Sequence, residues 1–217
     1  MKQRVTERDQ RATFDHNDVE VLDRRPVWQG FFRMDVVRLR HRLFAGGWSD
    51  VMQRELFVRE PSVVLLPYDP VSDQVVCIEQ FRVGALDMPY APWLLELVAG
   101  IIEEGEAPED VARREADEEA GLAVQDLEFI CRYQVSPGGN TEEIVLFCGR
   151  VDAGRAGGVY GLDSEHEDIR VHVLDWPDAQ AALESGRIRN AAGIIGLQWL
   201  MLHRETLRRR WMEDAAG

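Results

Sequence analysis

The rhythm of hydrophobic and polar positions changes along this chain. In QGFFRMDVVRLRHRLF (29–44), Val37, Leu39, His41 and Leu43 alternate with Val36, Arg38, Arg40 and Arg42, a period of two that predicts a strand. Gly46-Gly47 supplies the residues of a hairpin turn, and 48–59 returns as the partner strand. The β pattern runs from Val19 to about Glu60 and predicts a long two-stranded antiparallel ribbon with little beneath it. Such a ribbon is marginal alone and commonly packs on something larger, often a second subunit.

From residue 62 the pattern becomes that of a mixed domain. SVVLLPY (62–68) is a continuous apolar run, DPVSD (69–73) is turn chemistry, and QVVCIEQFRV (74–83) is a second strand. Further strands are predicted at 124–134, 143–151 and 168–174. Helices are predicted over 108–120, over 177–186, and over 190–212 with Asn190 as its cap. Interspersed strands and helices imply an α/β or α+β sandwich. The division expected is a ribbon over 1–60 and a larger domain over 61–217. A glycine-rich acidic stretch at 152–167 is expected to be a long functional loop. The cysteines and Met201 read as core.

Composition narrows the function classes. The 217 residues carry 25 Lys+Arg against 39 Asp+Glu, a net charge of −14. Such a chain repels polyphosphate, which argues against nucleic-acid binding and makes any phosphate-bearing ligand depend on local cations. No apolar run approaches the length of a membrane span. Cys77, Cys131 and Cys148 are odd in number and widely spaced, which fits a reducing cytoplasm rather than a disulfide framework.

The segment that carries chemistry is GIIEEGEAPEDVARREADEEAGL (100–122), with nine acids between Glu103 and Glu119 against two arginines. On a helix, Glu115, Glu118 and Glu119 share one arc. Like charges at these spacings destabilise a helix, so the arrangement calls for a counter-charge. Hard cations such as Mg²⁺ or Mn²⁺ take oxygen ligands of this kind. Glu115 and Glu119 flank Val111, Ala112 and Ala116, so their carboxylates are expected at the shielded rim of a packed face.

Gly100, five residues, Glu106, seven residues, Arg114-Glu115-Ala116, Asp117, Glu118-Glu119, Ala120, Gly121-Leu122 resembles the Nudix box, Gly-x5-Glu-x7-Arg-Glu-U-x-Glu-Glu-x-Gly-U, with only Ala116 smaller than the usual aliphatic. Most of the chain, from about Asn17 to Trp199, is similar to the bacterial ADP-ribose pyrophosphatases of that superfamily. The similarity is carried by NDVEVL, RHRLFAGG, WLLELVAGIIEEGE, SPGG, EHEDIRVHV and NAAGIIGLQWL.

The resemblance implies an α/β/α sandwich with a mixed sheet plus the N-terminal antiparallel ribbon. It implies hydrolysis of ADP-ribose to AMP and ribose 5-phosphate by water attack on phosphorus, assisted by two or three Mg²⁺ ions, with Mn²⁺ as a substitute. The metal ligands implied are Glu115, Glu118, Glu119, the Ala99 carbonyl and Glu167. The catalytic base implied is Glu165, although the roles of Glu165 and Glu167 could be reversed. Arg114 is expected to orient the glutamates. Gly100 would let backbone approach the diphosphate, and Arg54, Arg82, Pro137 and Glu142 would contact substrate. Trp28 and Phe31 would sandwich adenine, partly from the other subunit, with ordinary β-core packing the alternative for Phe31 and a plain surface position the alternative for the arginines. The implied assembly is a homodimer with crossed-over ribbons acting on a small nucleoside diphosphate sugar, with no nucleic-acid or membrane partner. Two other readings stand beside it: the same chemistry on a substrate such as GDP-mannose, and a non-catalytic ADP-ribose sensor.

Overall fold

The computed structural model describes residues 13–162, 164 and 166–214. They fall into two compact units, one running through Arg59 and including Ser136–Thr141, the other made of Glu60–Val135 and the segment from Glu142 onward.

The first unit is an antiparallel sheet of β1 (Val19–Gln29), β2 (Arg33–His41) and β3 (Met52–Val58), in that order. The pattern predicts two strands, 29–44 and 48–59; the structure has three, and the chain reverses at 30–32 before β2 begins. β1 is hard to read because its register against β2 shifts between Val21 and Asp23 and again between Pro26 and Trp28, so its apolar residues lose a clean period. Gly46 and Gly47 adopt φ of 90° and 80° in the β2–β3 connection, a conformation that side chains disfavour. The core is thin, with Val36 and Val37 the buried hydrophobics among the described residues of this unit, and β1 is exposed nearly throughout. Buried Asp35 is flanked by Arg24 at 2.6 Å and Arg33 at 3.0 Å. Residues 136–141 lie along β3: Phe57 N–H donates to Gly139 O at 2.8 Å, and Thr141 Oγ1 accepts from Arg59 N–H at 2.8 Å.

The second unit is a three-layer sandwich. Its strands are β4 (Ser62–Asp69), β5 (Gln74–Phe81), β6 (Trp93–Glu96), β7 (Val98–Ile101), β8 (Leu127–Gln134), β9 (Glu143–Arg150), β10 (Gly158–Tyr160) and β11 (Ile169–Asp175). Its helices are α1 (Pro108–Ala120), α2 (Trp176–Glu184) and α3 (Ala191–Asp214). The sheet order is β10-β11-β5-β4-β9-β8, with β6 beside β5 and β7 beside β4. The β4–β9 pair is parallel and its neighbours antiparallel, so the sheet is mixed. Helix α1 closes one face over Val63, Leu65, Ile78 and Phe147; α2 and α3 close the other over Leu66, Tyr68, Leu97 and Leu146. Every residue of β4 is buried, as its unbroken apolar run requires of a strand covered on both sides.

Three features depart from the sequence reading. Strands β6 and β7 carry no signal in the sequence pattern; at four residues each they are too short for a period. Much of the expected loop at 152–167 is structured, with a 3₁₀ turn at Ala153–Arg155 and β10 paired to β11. Met201 is 46% exposed rather than core, because it follows buried Leu200 on α3 and one step turns the side chain about 100° toward solvent.

One topological detail places the chemistry. β4 and β5 pair only at Tyr68↔Val75 and Asp69↔Gln74, next to their turn. Beyond that β4 pairs with β7 and β5 with β6. The sheet divides, and β6-Leu97-β7 fills the division.

Candidate active site

Helix α1 begins with Pro108 in its first turn and ends at Gly121, whose φ of 63° lets its N–H reach Ala116 O and Asp117 O. Val111, Ala112, Ala116 and Ala120 have no exposed surface. These small residues let the helix lie close to the sheet, which draws Glu115 and Glu119 down onto β7. The Oε2 of Glu119 accepts from Ala99 N–H at 2.9 Å. Glu115 lies against Gly100, where an added Cβ would stand 2.0 Å from Glu115 Oε1. The glycine of the motif is therefore needed here to accommodate a glutamate of the same motif.

Burial acts on both acids. It lifts the Glu115 carboxyl to about 7, opposed by the Arg114 guanidinium and reinforced by the negative charges of Glu118 and Glu167. It lifts Glu119 to about 8, opposed by the Ala99 hydrogen bond and by Arg82, and reinforced by Glu115 and Glu167. Arg114 Nη1 lies 2.8 Å from Glu115 Oε1 and 3.0 Å from Glu118 Oε2, the orienting position expected of it. Glu118 remains partly exposed.

Glu167, which precedes β11, lies near enough to act on this group. Its Oε2 accepts from Leu162 N–H at 3.2 Å, and its charge raises both Glu115 and Glu119. Glu165 lies outside the described residues. Arg82, just beyond β5, also reaches Glu119 electrostatically, and its Nε donates to Glu96 Oε2 at 2.7 Å. Glu142 precedes β9; the Tyr133 hydroxyl is pushed up to about 12 mainly by burial, with smaller contributions from Cys131 and the charge of Glu142.

The remaining sequence candidates belong to the ribbon unit. Trp28 is 69% exposed and Phe31 86%, which removes core packing as the explanation for Phe31 in this chain. Phe31 meets Phe32 edge-on, Phe32 meets Phe57, and the Arg59 guanidinium lies 4.4 Å from the Phe32 ring centre. Arg54 is exposed on β3 and donates to Gln53 O. Pro137 lies in the 136–141 segment along that same strand. Sequence reasoning missed Glu96, whose bond to Arg82 was unreadable without knowing that β6 lies beside β5. It also missed Thr141, whose hydroxyl holds its segment to Arg59.

The donors fit a hard divalent cation: carboxylates and one backbone carbonyl, in a place where burial disfavours their bare charge. Among the described residues no three acidic, histidine or cysteine side chains already meet around a common point. No helix among the described residues is long and apolar enough to cross a membrane.

The sequence profile of the NUDIX domain matches residues 58–193. The chain is 52% identical over 200 residues to ADP-ribose pyrophosphatase of Escherichia coli K12, covering 92% of this chain and 96% of that protein. It is 44% identical over 201 residues to ADP-ribose pyrophosphatase of Haemophilus influenzae, covering 91% and 93%. To GDP-mannose pyrophosphatase of Enterobacter sp. 638 it is 33% identical over 159 residues, covering 69% and 78%. A solved structure described as "Crystal structure of ADP compounds hydrolase" matches with a TM-score of 0.64 and 21% identity, covering 85% of this chain and 95% of that one. At that identity the likeness speaks for the fold alone.

Proposed function

The chain belongs to the Nudix family, and on that footing we propose that it hydrolyses the pyrophosphate bond of ADP-ribose to give AMP and ribose 5-phosphate. The observation that carries the reading is the Glu115–Glu119 pair, two carboxylates lifted to about 7 and about 8 by burial on one helix turn. Such a pair gains most from a cation, and a diphosphate brings the charge that such a cation would bridge. Glu115, Glu119 and Glu167, the Ala99 carbonyl and, at the exposed edge, Glu118 would hold Mg²⁺, two or three ions in all, with Mn²⁺ able to replace it. Bound there, the metal would neutralise phosphate oxygens and lower the pKa of the attacking water.

The protein's own groups do the rest. Glu165 takes the proton from the attacking water. Arg82 and Arg54 grip phosphate and ribose, with Gly100, Pro137 and Glu142 lining the substrate. Trp28 and Phe31 offer exposed rings on which adenine can stack, an interaction worth about 1–3 kcal/mol per base. The exposure of β1 and of these rings supports a homodimer in which the ribbon of one copy serves the active site of the other. Three unpaired cysteines are compatible with a reducing, cytoplasmic setting, and the net charge of −14 disfavours nucleic acid as a partner.

The relatives in hand include GDP-mannose pyrophosphatases at 33–35% identity, below the 52% of the ADP-ribose pyrophosphatases. Intact box glutamates argue against a sensor that binds without turnover. Steady-state kinetics on a panel of nucleoside diphosphate sugars with Mg²⁺ tests the reading. ADP-ribose should give the highest kcat/KM, and a higher value for GDP-mannose would overturn the substrate assignment. Sedimentation of the active enzyme should show a dimer; a fully active monomer would remove the shared site.

A further inference from the structure

Arg82 is held from behind. Its backbone N–H donates to Pro92 O at 2.8 Å and its carbonyl accepts from Ala85 N–H at 2.9 Å. Its side chain is tied through Nε to Glu96 Oε2 at 2.7 Å. Among the described residues the two terminal amino groups of the guanidinium make no hydrogen bond, and the charge they carry is felt at Glu119. Glu96, with a side chain only 12% exposed, uses its other oxygen to accept from Asn190 Nδ2 at 3.2 Å. Asn190 is itself fixed, since its Oδ1 accepts from Gly193 N–H at 2.7 Å in the first turn of α3. The segment carrying it is pinned to β6 by the Leu95↔Ile188 bridge.

We propose that Glu96 is a positioning residue for the reaction: clamped by Asn190, it fixes the Arg82 guanidinium by its Nε so that both terminal amino groups face the substrate diphosphate. The inference rests on the assignment of Arg82 as a substrate arginine. An arginine pays less conformational entropy per hydrogen bond when its planar fork is already oriented. A surface ion pair would have no need of a second anchor. Here the carboxylate spans two elements, β6 and the start of α3, and its two oxygens serve two different donors. Glutamine cannot serve both, because Asn190 cannot flip its amide without losing the bond to Gly193. An Asn190→Asp change restores an acceptor opposite the glutamine NH₂.

The test is a set of variants assayed with Mg²⁺ and ADP-ribose, with melting temperature as a check on folding. Glu96→Gln should raise KM about tenfold and leave kcat within about twofold, the pattern of lost uniform binding. Adding Asn190→Asp should recover most of that loss. Arg82→Ala alone should lower kcat/KM about 30-fold or more. In the Arg82→Ala background, Glu96→Gln should change kcat/KM less than about twofold. If the Arg82 and Glu96 losses multiply instead, Glu96 acts independently and the inference falls while the substrate reading of Arg82 stands. An unaffected KM in folded Glu96→Gln also overturns it. If Arg82→Ala itself has wild-type kinetics, the substrate reading of Arg82 fails and the inference goes with it.

Discussion

Replacing Gly100 by alanine separates activity from stability at this site. The backbone of Gly100 lies outside the left-handed region, so alanine meets no conformational penalty there. The difficulty is space. An alanine Cβ would stand 2.0 Å from Glu115 Oε1, 2.1 Å from Cδ and 2.3 Å from Cγ. Bringing the nearest atom out to ordinary contact requires the carboxylate to retreat by about 1.4 Å. All three obstructing atoms belong to one side chain, Cγ as well as the carboxylate, so the fold yields by swinging Glu115 to another rotamer at a cost of about 1 kcal/mol. Releasing a carboxylate that burial disfavours offsets part of even that. Chemistry is less tolerant, since misplacing a reacting group by about 1 Å can cost about 10²-fold. Gly100→Ala should therefore melt close to wild type, bind Mg²⁺ more weakly by calorimetric titration, and lose about 100-fold in kcat/KM on ADP-ribose. A folded variant with wild-type turnover and Mg²⁺ affinity would show that the contact between Gly100 and Glu115 has no bearing on the reaction. A variant that fails to fold would show that the crowding extends beyond one side chain.

Other outcomes follow from the same geometry. Glu119→Gln keeps an acceptor for the Ala99 amide but removes the charge, so kcat should fall by about three orders of magnitude or more while the metal-free melting temperature at pH 8 stays level or rises; wild-type-like turnover would refute the metal assignment. Because the folded-state values of Glu115 and Glu119, about 7 and about 8, lie above the ordinary 4.5, the folded state binds more protons than the unfolded one between those limits. In EDTA, stability is then greatest near the bottom of that window and declines as pH rises from about 5 to about 8. Saturating Mg²⁺ should flatten that decline, and a metal-free melting temperature that rises across this range would contradict the burial argument. Trp28→Ala and Phe31→Ala should each raise KM for ADP-ribose about tenfold with little change in melting temperature, since both rings are exposed in the chain; a large loss of stability with unchanged KM would make them structural.

The elements legible without the fold were those set by local rules. Helix α1 shows in its sequence because Pro108 starts it, Gly121 ends it and alanines recur on one face. β4 shows because a strand covered on both sides is apolar through its centre, here Val63–Tyr68. The spacing of Glu115, Glu118 and Glu119 belongs to the helix itself, so their shared arc needed no tertiary knowledge. By contrast β1 escaped recognition as a separate strand because two register shifts break its period, and β6 and β7 because four residues are too few to display one.

Which groups could do chemistry is written in local properties, the identity and helical spacing of the box residues. Their state depends on packing between distant segments. Whether Glu119 is buried, why residue 100 must lack a side chain, and what holds Arg82 all depend on β6 and β7 filling the division of the sheet beneath α1. Those contacts join residues distant along the chain, such as Glu119 with Ala99 and Glu96 with Asn190. The helical neighbours of Glu115 and Glu119 foretell a shielded rim, but how far desolvation and steric exclusion go depends on what the fold packs against them in space.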